Sequence, residues 1–357
     1  MKYRLASIQP SKAITADITE TYDINILDPI SQIIIQVKGT NGDSVADGHP
    51  AKHVTKIEIV DGSDVLFSME GVEAQAMDFY HNKRMALNIL NYVSGSMCVG
   101  MFQINFGRWL YDPELAFDPK QFKNPQLKIT YDFTGGGGAS TSAMTSEIVA
   151  HCFDEKEISP MGFLMQKEIM DYTMTAAAWK YIDLPTDYPY KMMTIQAMYT
   201  LLQPWQQYNK IKLQSDNNKK VIIDENTSDL LKYLCPQFGL VKETLTGKPT
   251  TTPNDMFCTP HYELVANAIA EDAVNNMYGI TGMNGGSITI DVAVDTVIYC
   301  NILGYCPHGA LAIPFGDQND IADWFDVASL GNLRLEIYEH ASANGALKVC
   351  LSQLRTY

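Results

Sequence analysis

Cys300, Cys306 and His308, in the run CNILGYCPH, put two thiols and an imidazole close together, the donor types that hold zinc. The five-residue gap between the cysteines fits no usual zinc knuckle, and the apolar residues around them read as an ordinary packed strand. Asp112, Glu114 and Asp118 are neighbouring carboxylates of the sort a glycosidase uses as acid and base, but their loop position equally suits a solvated or calcium-touched turn. Gly279, Gly282, Gly285 and Gly286, in GITGMNGGS, have the composition of a phosphate loop without the preceding strand and following helix that would aim amides at a phosphate, so a link is expected there. Four glycines at 135–138 read as a loop bending around a neighbour. The histidines at 49, 53, 81, 151, 261, 308 and 340 form no HExxH, and no Gly-x-Ser-x-Gly accompanies them. Trp109, Trp179, Trp205 and Trp324 are spread over both halves and are accounted for by core or interface packing. No catalytic, cofactor-binding or metal-ligating residue is therefore expected, and the chain is not expected to be an enzyme.

Composition points the same way. The chain has 357 residues and is 46% apolar, enough for one or two full cores. Only 19% of it is charged, with a net charge of −15, which suits a protein with much surface hidden in contacts. No Lys/Arg run exists to neutralise phosphates, so specific nucleic-acid binding is not expected. The seven scattered cysteines are an odd number in apolar surroundings and read as small buried hydrophobes in a reducing compartment. The N-terminal stretch lacks an apolar core of signal-peptide length, and nowhere do 18 apolar residues run together. Neither export by a standard signal nor a membrane span is expected.

The chain says the same thing twice. Gly304, Gly309, Ile313, Phe315 and Gly316 fall on Gly95, Gly100, Ile104, Phe106 and Gly107 at a constant shift of 209. Each Phe-Gly is followed by a loop with Asp and bulky apolar residues. A strictly alternating segment comes next: Leu127, Ile129, Tyr131 and Phe133 in one copy, Leu333, Leu335 and Ile337 in the other. That period of two marks a strand with one buried face. Earlier, Asp28-Pro29 and Gln36 match Tyr188-Pro189 and Gln196 at a shift of 160, and Lys56 matches Lys210 at 154.

In the first copy, residues 1–16 are read as an N-terminal arm and 17–158 as the first domain. Strands are expected at 18–27, 31–39 and, as a hairpin about Asp61-Gly62, at 54–60 and 64–69. Helical spacing then appears over 72–90, followed by a strand pair around Gly95 and a closing strand at 146–153. The second domain, 165–357, repeats this order, with Thr227 or Ser228 capping the helix DLLKYL. The shift then jumps from 154 to 209, which means an insertion of about 55 residues, placed at 235–297. Its expected parts are a Pro/Thr-rich loop at 247–253, an amphipathic helix at 261–277 with Leu264, Val265, Ala268 and Ile269 on one face, the Gly-rich link and a strand at 288–294. Such an insertion is expected to decorate the core and to lean on its own domain or on a neighbour's insertion.

Each half thus reads as about eight short strands in paired hairpins with one helix, and the fold class expected is all-β: two tandem eight-stranded antiparallel jelly rolls with short flanking helices. In order of elements, and in the residues of KIEIVDGSDVLFSMEGVEAQAMDFYHN (56–82) and FGRWLYDPELAFDPKQFKNPQLKITYDF (106–133), the chain resembles the double jelly-roll major capsid proteins of tailless icosahedral bacteriophages, in the adenovirus-like capsid lineage. The resemblance implies a structural role in a virion capsid, after synthesis in the host cytoplasm. It implies homotrimers whose six similar walls tile a hexagonal lattice, contacts with neighbouring capsomers and with minor capsid and vertex proteins, and contact with a membrane where one lies beneath the shell. The competing reading is a two-jelly-roll hydrolase of the peptide N-glycanase kind, or a carbohydrate-binding protein, with carboxylates between the domains.

Overall fold

Alternating apolar residues fix the strands. In the segment Ile30–Asn41, Ile33, Ile35 and Val37 are buried and the residues between them are partly exposed, because successive side chains leave a strand on opposite faces. The computed structural model describes residues 1–43, 46–138, 141–248, 254–270, 277–290 and 296–357. Its first half runs β1 (Tyr3–Ile14), β2 (Ile18–Asp23), β3 (Ile30–Asn41), β4 (Ala46–Gly48), β5 (Val54–Asp61), β6 (Asp64–Met69), α1 (Gly71–Asn82), β7 (Leu90–Asn91), β8 (Met97–Asn105), β9 (Pro125–Tyr131), β10 (Gly137–Gly138) and β11 (Thr141–Phe153). Two antiparallel sheets, β1-β11-β3-β8 and β2-β9-β5-β6, face each other over a core built from Ile33, Ile57, Phe102, Leu127 and Ile148.

The second half begins with β12 (Gly162–Thr173), β13 (Trp179–Asp183), β14 (Tyr190–Ala197), β15 (Tyr208–Ser215), β16 (Lys220–Asn226) and α2 (Thr227–Phe238). An inserted unit follows: β17 (Val241–Gly247), β18 (Asn254–Phe257), β19 (Pro260–Ala270), β20 (Met277–Tyr278), β21 (Ile280–Asn284), β22 (Ser287–Ile290) and β23 (Ile298–Pro307). β24 (Ala310–Pro314), β25 (Leu333–Glu339) and β26 (Ala346–Thr356) close the sandwich. Its sheets, β12-β26-β14-β24 and β13-β25-β15-β16, repeat the strand order of the first half position by position. Both halves are eight-stranded jelly rolls, and the fold class is all-β.

The halves are not separate beads. β6 pairs in parallel with β12 through Phe67 with Gln166 and Ser68 with Lys167, so the second sheet of one sandwich runs on into the first sheet of the other as eight strands. α1 lies in this seam, with Tyr80 Oη donating to Ala310 O at 2.6 Å and its ring 4.8 Å from that of Phe238.

Three expectations need correcting. Residues 3–14 are no arm: β1 is an edge strand on β11, whose register slips between Ser7 and Gln9 and between Gln9 and Lys12, so Pro10 sits where no ladder bond is needed. Only Ala6 and Ile14 of this strand are buried, which hid its period. The helix expected from 261 is instead β19. Glu263 has a positive φ of 48° and the register slips between Tyr262 and Val265, so apolar residues on both faces of a bulged strand mimicked helical spacing. The glycine link at 279–286 is the β21–β22 hairpin, with Gly285 and Gly286 at φ 53° and 76° in its turn. Residues 249–253, 271–276 and 291–295, which carry parts of the expected loop, helix and strand, lie outside the described residues.

The insertion also differs in extent and support. Cys235 belongs to α2, whereas β23 belongs to the inserted unit, in the sheet β20-β19-β23-β17-β7. That sheet and the smaller β18-β22-β21 enclose their own core of Leu245, Met256, Ile288, Ile298 and Ile302, completed by Leu90, Tyr92 and Cys98 of the first half. The insertion therefore leans on the first jelly roll, to which β7 joins it in parallel and Tyr92 Oη ties it at Phe257 O, 2.6 Å away.

Candidate functional site

The residues singled out for metal chemistry are separated by the fold. Cys300 packs in the inserted core, and Cys306 packs in the second jelly roll with its Sγ 3.5 Å from Cys235 Sγ. His308 turns away to donate from Nε2 to Gln75 Oε1 at 2.9 Å. All seven thiols are free and buried. The acidic loop is equally committed. Arg108, whose side chain is itself almost covered, forks onto Asp112 at 2.7 and 3.0 Å and also pairs with Glu114, while Asp118 caps a short 3-10 turn through Lys120 N at 3.1 Å. Burial would raise the Asp112 pKa, but the hydrogen bonds from Arg108 outweigh it and hold it below the usual carboxylate range. Asp112 is thus buried and fully engaged, and Glu114 is tied to the same guanidinium at the surface.

A cluster that no sequence spacing announced forms where the insertion meets the first jelly roll. His49, His261 and His308, far apart in the chain, line one cavity of about 230 Å³ with Lys52 and Tyr199, and the His49 and His308 rings lie 4.8 Å apart. His49 accepts the Ala51 amide at Nδ1 (3.1 Å), so its Nε2 carries the proton and donates to Thr259 Oγ1 at 3.1 Å. Thr259 in turn donates its hydroxyl and its amide to the two Glu243 oxygens at 2.7 and 2.6 Å. His261 Nδ1 donates to Thr259 O, which also receives the His308 amide. Burial, with the neighbouring imidazoles and Lys52 adding to it, pushes His49 down to about 3 and takes His308 well below its usual value; burial also pushes His261 to about 4, against the hydrogen bond to Thr259 O. Burial alone pushes Glu243 up to about 7. These are neutral imidazoles in a hydrogen-bonded joint, and the Cys258 thiol that also lines the cavity is held protonated by burial.

At the seam, Glu70, Glu168 and Asp171 bring three carboxylates within ligand distance of one another. The protein supplies its own cation there: Lys348 Nζ pairs with Glu70 and lies 3.8 Å from Glu168 and 3.6 Å from Asp171. This too is structural glue.

What remains open is surface. On β14 every residue is buried, because α1 covers the outer side of that sheet, whereas the equivalent β3 alternates between buried and half-exposed. α1 is buried from Gly71 to Tyr80, whereas α2 exposes Lys232, Tyr233, Pro236 and Gln237. On the insertion, Val265 faces Leu303 and Ile269 faces Tyr299 across β19 and β23, and all four are exposed. Cross-strand apolar pairs of this kind, laid side by side in water, mark a contact surface.

No protein-family model and no curated protein matches the sequence. Solved structures do match. The major capsid protein P2 from bacteriophage PM2 superposes with a TM-score of 0.58 at 10% identity, over 99% of this chain and 98% of that one. The major capsid protein of STIV gives 0.57 at 12% identity, over 99% and 96%. PBCV-1 VP54, as fitted into a reconstruction of the virophage Sputnik, gives 0.60 at 12% identity, over 99% and 93%. Over its whole length the chain has the double jelly-roll fold of these viral capsid proteins.

Proposed function

We propose that this chain is the major capsid protein of an icosahedral virus, built into the shell as homotrimers that present six jelly rolls to the lattice. One observation carries the reading. Two sandwiches of identical strand order are docked in series, edge strand to edge strand, leaving one uncovered edge and face at each end of the pair. A chain of this shape is two sixths of a ring, and three copies close it through heterologous contacts. The outward apolar pairs of β19 and β23 fit a position where three insertions meet about the threefold axis. In that role the chain resides in the virion after synthesis in the host cytoplasm and meets minor capsid and vertex proteins at capsomer borders. Of the carboxylates a hydrolase would need, Asp112 and Glu114 are engaged by Arg108 and Asp118 by the turn it caps, which favours a structural role over an enzymatic one.

Sedimentation of the purified protein tests this. A stable trimer is expected, with an interface above about 2,000 Å² as in permanent assemblies, and electron micrographs of the concentrated protein should show hexagonal plates or shells. A monomer at micromolar concentration overturns the proposal.

A further inference from the structure

The contact within the chain specifies a contact between chains. The two jelly rolls can be matched residue by residue through their ladders. Pairing of β5 with β6 and of β15 with β16 sets Asp64, Phe67 and Ser68 on Lys220, Ile223 and Asp224. Pairing of β26 with β12 and of β11 with β1 sets Gln166 and Lys167 on Leu5 and Ala6, and Arg355 on Asp154. A bulge supports the match: the register slips between Glu168 and Met170 in β12 and between Ser7 and Gln9 in β1, at the same place. α1 and α2 also correspond, each twelve residues long and each directly after its hairpin.

In the seam inside the chain, β6 is joined by β12 and α1 is covered by the second half. The corresponding elements at the two ends of the chain have no such cover. β16 and β1 are edge strands, with Val221 and Leu5 exposed, and bare edges of this length invite another strand. The ionic lock of the seam is present at the ends with its signs exchanged. Arg355 Nη1 reaches Asp64 at 2.9 Å inside the chain, while the matched positions hold Asp154 and Lys220. Asp154 has only a 3.8 Å contact to Arg4, and Lys220 makes no ion pair among the described residues.

We infer that the seam is repeated between copies: β16 of one chain adds in parallel to β1 of the next, Ile223 opposite Leu5 and Asp224 opposite Ala6, with Lys220 paired to Asp154. The exposed side of α2, Lys232, Tyr233 and Pro236, then covers the half-exposed outer face of β3 and β11 of that next copy, as α1 covers β14 and β26. The inference rests on the trimeric reading and adds its register. Exchange of the ionic signs also sorts the two seams, since Lys220 set against Arg355, or Asp64 against Asp154, would repel.

The test uses the full chain. Leu5→Cys with Ile223→Cys places two thiols on directly opposed parallel residues, within disulfide reach, and the seven native thiols are buried. Oxidation is expected to give a covalent trimer on a non-reducing gel, and neither single variant should do so. In parallel, Lys220→Glu is expected to weaken association about tenfold or more, and Lys220→Glu with Asp154→Lys to restore it, read by sedimentation. Thermal unfolding of each variant checks that the monomer is intact. A trimer that forms without the cross-link and ignores both charge changes overturns the register and leaves the trimeric reading standing. A chain that never trimerises overturns both.

Discussion

α1 and α2 stand at the same place in two copies of one sandwich and have opposite surroundings. α1 is walled in, so each polar side chain on it has a partner. Glu73 accepts the Glu70 amide at 2.6 Å, Asp78 accepts from Asn105 at 2.7 Å and Asn82 at 2.6 Å, and Gln75 bonds Asn88, Met101 O and His308. α2 needs none of this, because its Leu230 and Leu231 face the core while Lys232 and Tyr233 face solvent. The helix that had to satisfy buried polar groups is the one that a second jelly roll covers within the chain. The other carries an ordinary amphipathic surface, with Lys232, Tyr233 and Pro236 exposed.

Matched substitutions should break the comparison most sharply. Met77 and Tyr233 occupy equivalent positions, one buried and one 61% exposed. Met77→Asp puts an unpaired charge in the seam and is expected to cost about 4 kcal/mol or more, seen as insoluble protein or a collapse of the melting transition. Tyr233→Asp should leave the monomer's melting temperature nearly unchanged and abolish the proposed trimer in sedimentation. Equal damage from the two would mean that the helices are not equivalent.

Asp78 gives an intermediate effect with a defined sign. Burial pushes its pKa up to about 7 against the hydrogen bonds of Asn105 and Asn82. The folded state therefore holds this proton more tightly than the unfolded chain does. Its contribution is full below the unfolded value near 4 and is lost as pH rises through about 7, at about 1.4 kcal/mol per unit. Asp78→Asn, which keeps the acceptor without the charge, should be close to neutral at pH 4 and below, and increasingly stabilising from there up to pH 7 and at pH 9, flattening the pH dependence of thermal unfolding. Loss of stability by the variant at pH 9 would contradict this.

The smallest effect is expected at the seam's ion pair. Asp64 is 46% exposed, so Asp64→Ala should cost no more than about 1 kcal/mol in denaturant unfolding. A loss of several kcal/mol would show that the β6–β12 junction depends on this pair more than its exposure allows.

Much of this was legible in the sequence. The repeat shifts of 160, 154 and 209 match β3 to β14, β5 to β15 and β8 to β24 in the fold, and the jump between the last two marks the inserted unit. Strands with one face in a core write their period into the chain, as Leu127, Ile129 and Tyr131 do. Where neither face is well covered, or apolar residues occupy the exposed face as well, that period fades in the sequence. β1, mostly uncovered, read as an arm, and β19, apolar on both sides, read as a helix. The histidine joint was beyond reach for a different reason: His49, His261 and His308 share no spacing, and only the docking of the insertion on the first jelly roll brings them together. The two cores and their order follow from the amino-acid pattern alone, since burial of apolar area is encoded locally in each strand. Which helix is covered, which edges stay open and where the insertion rests were decided only by the tertiary structure, because those depend on how two finished sandwiches meet.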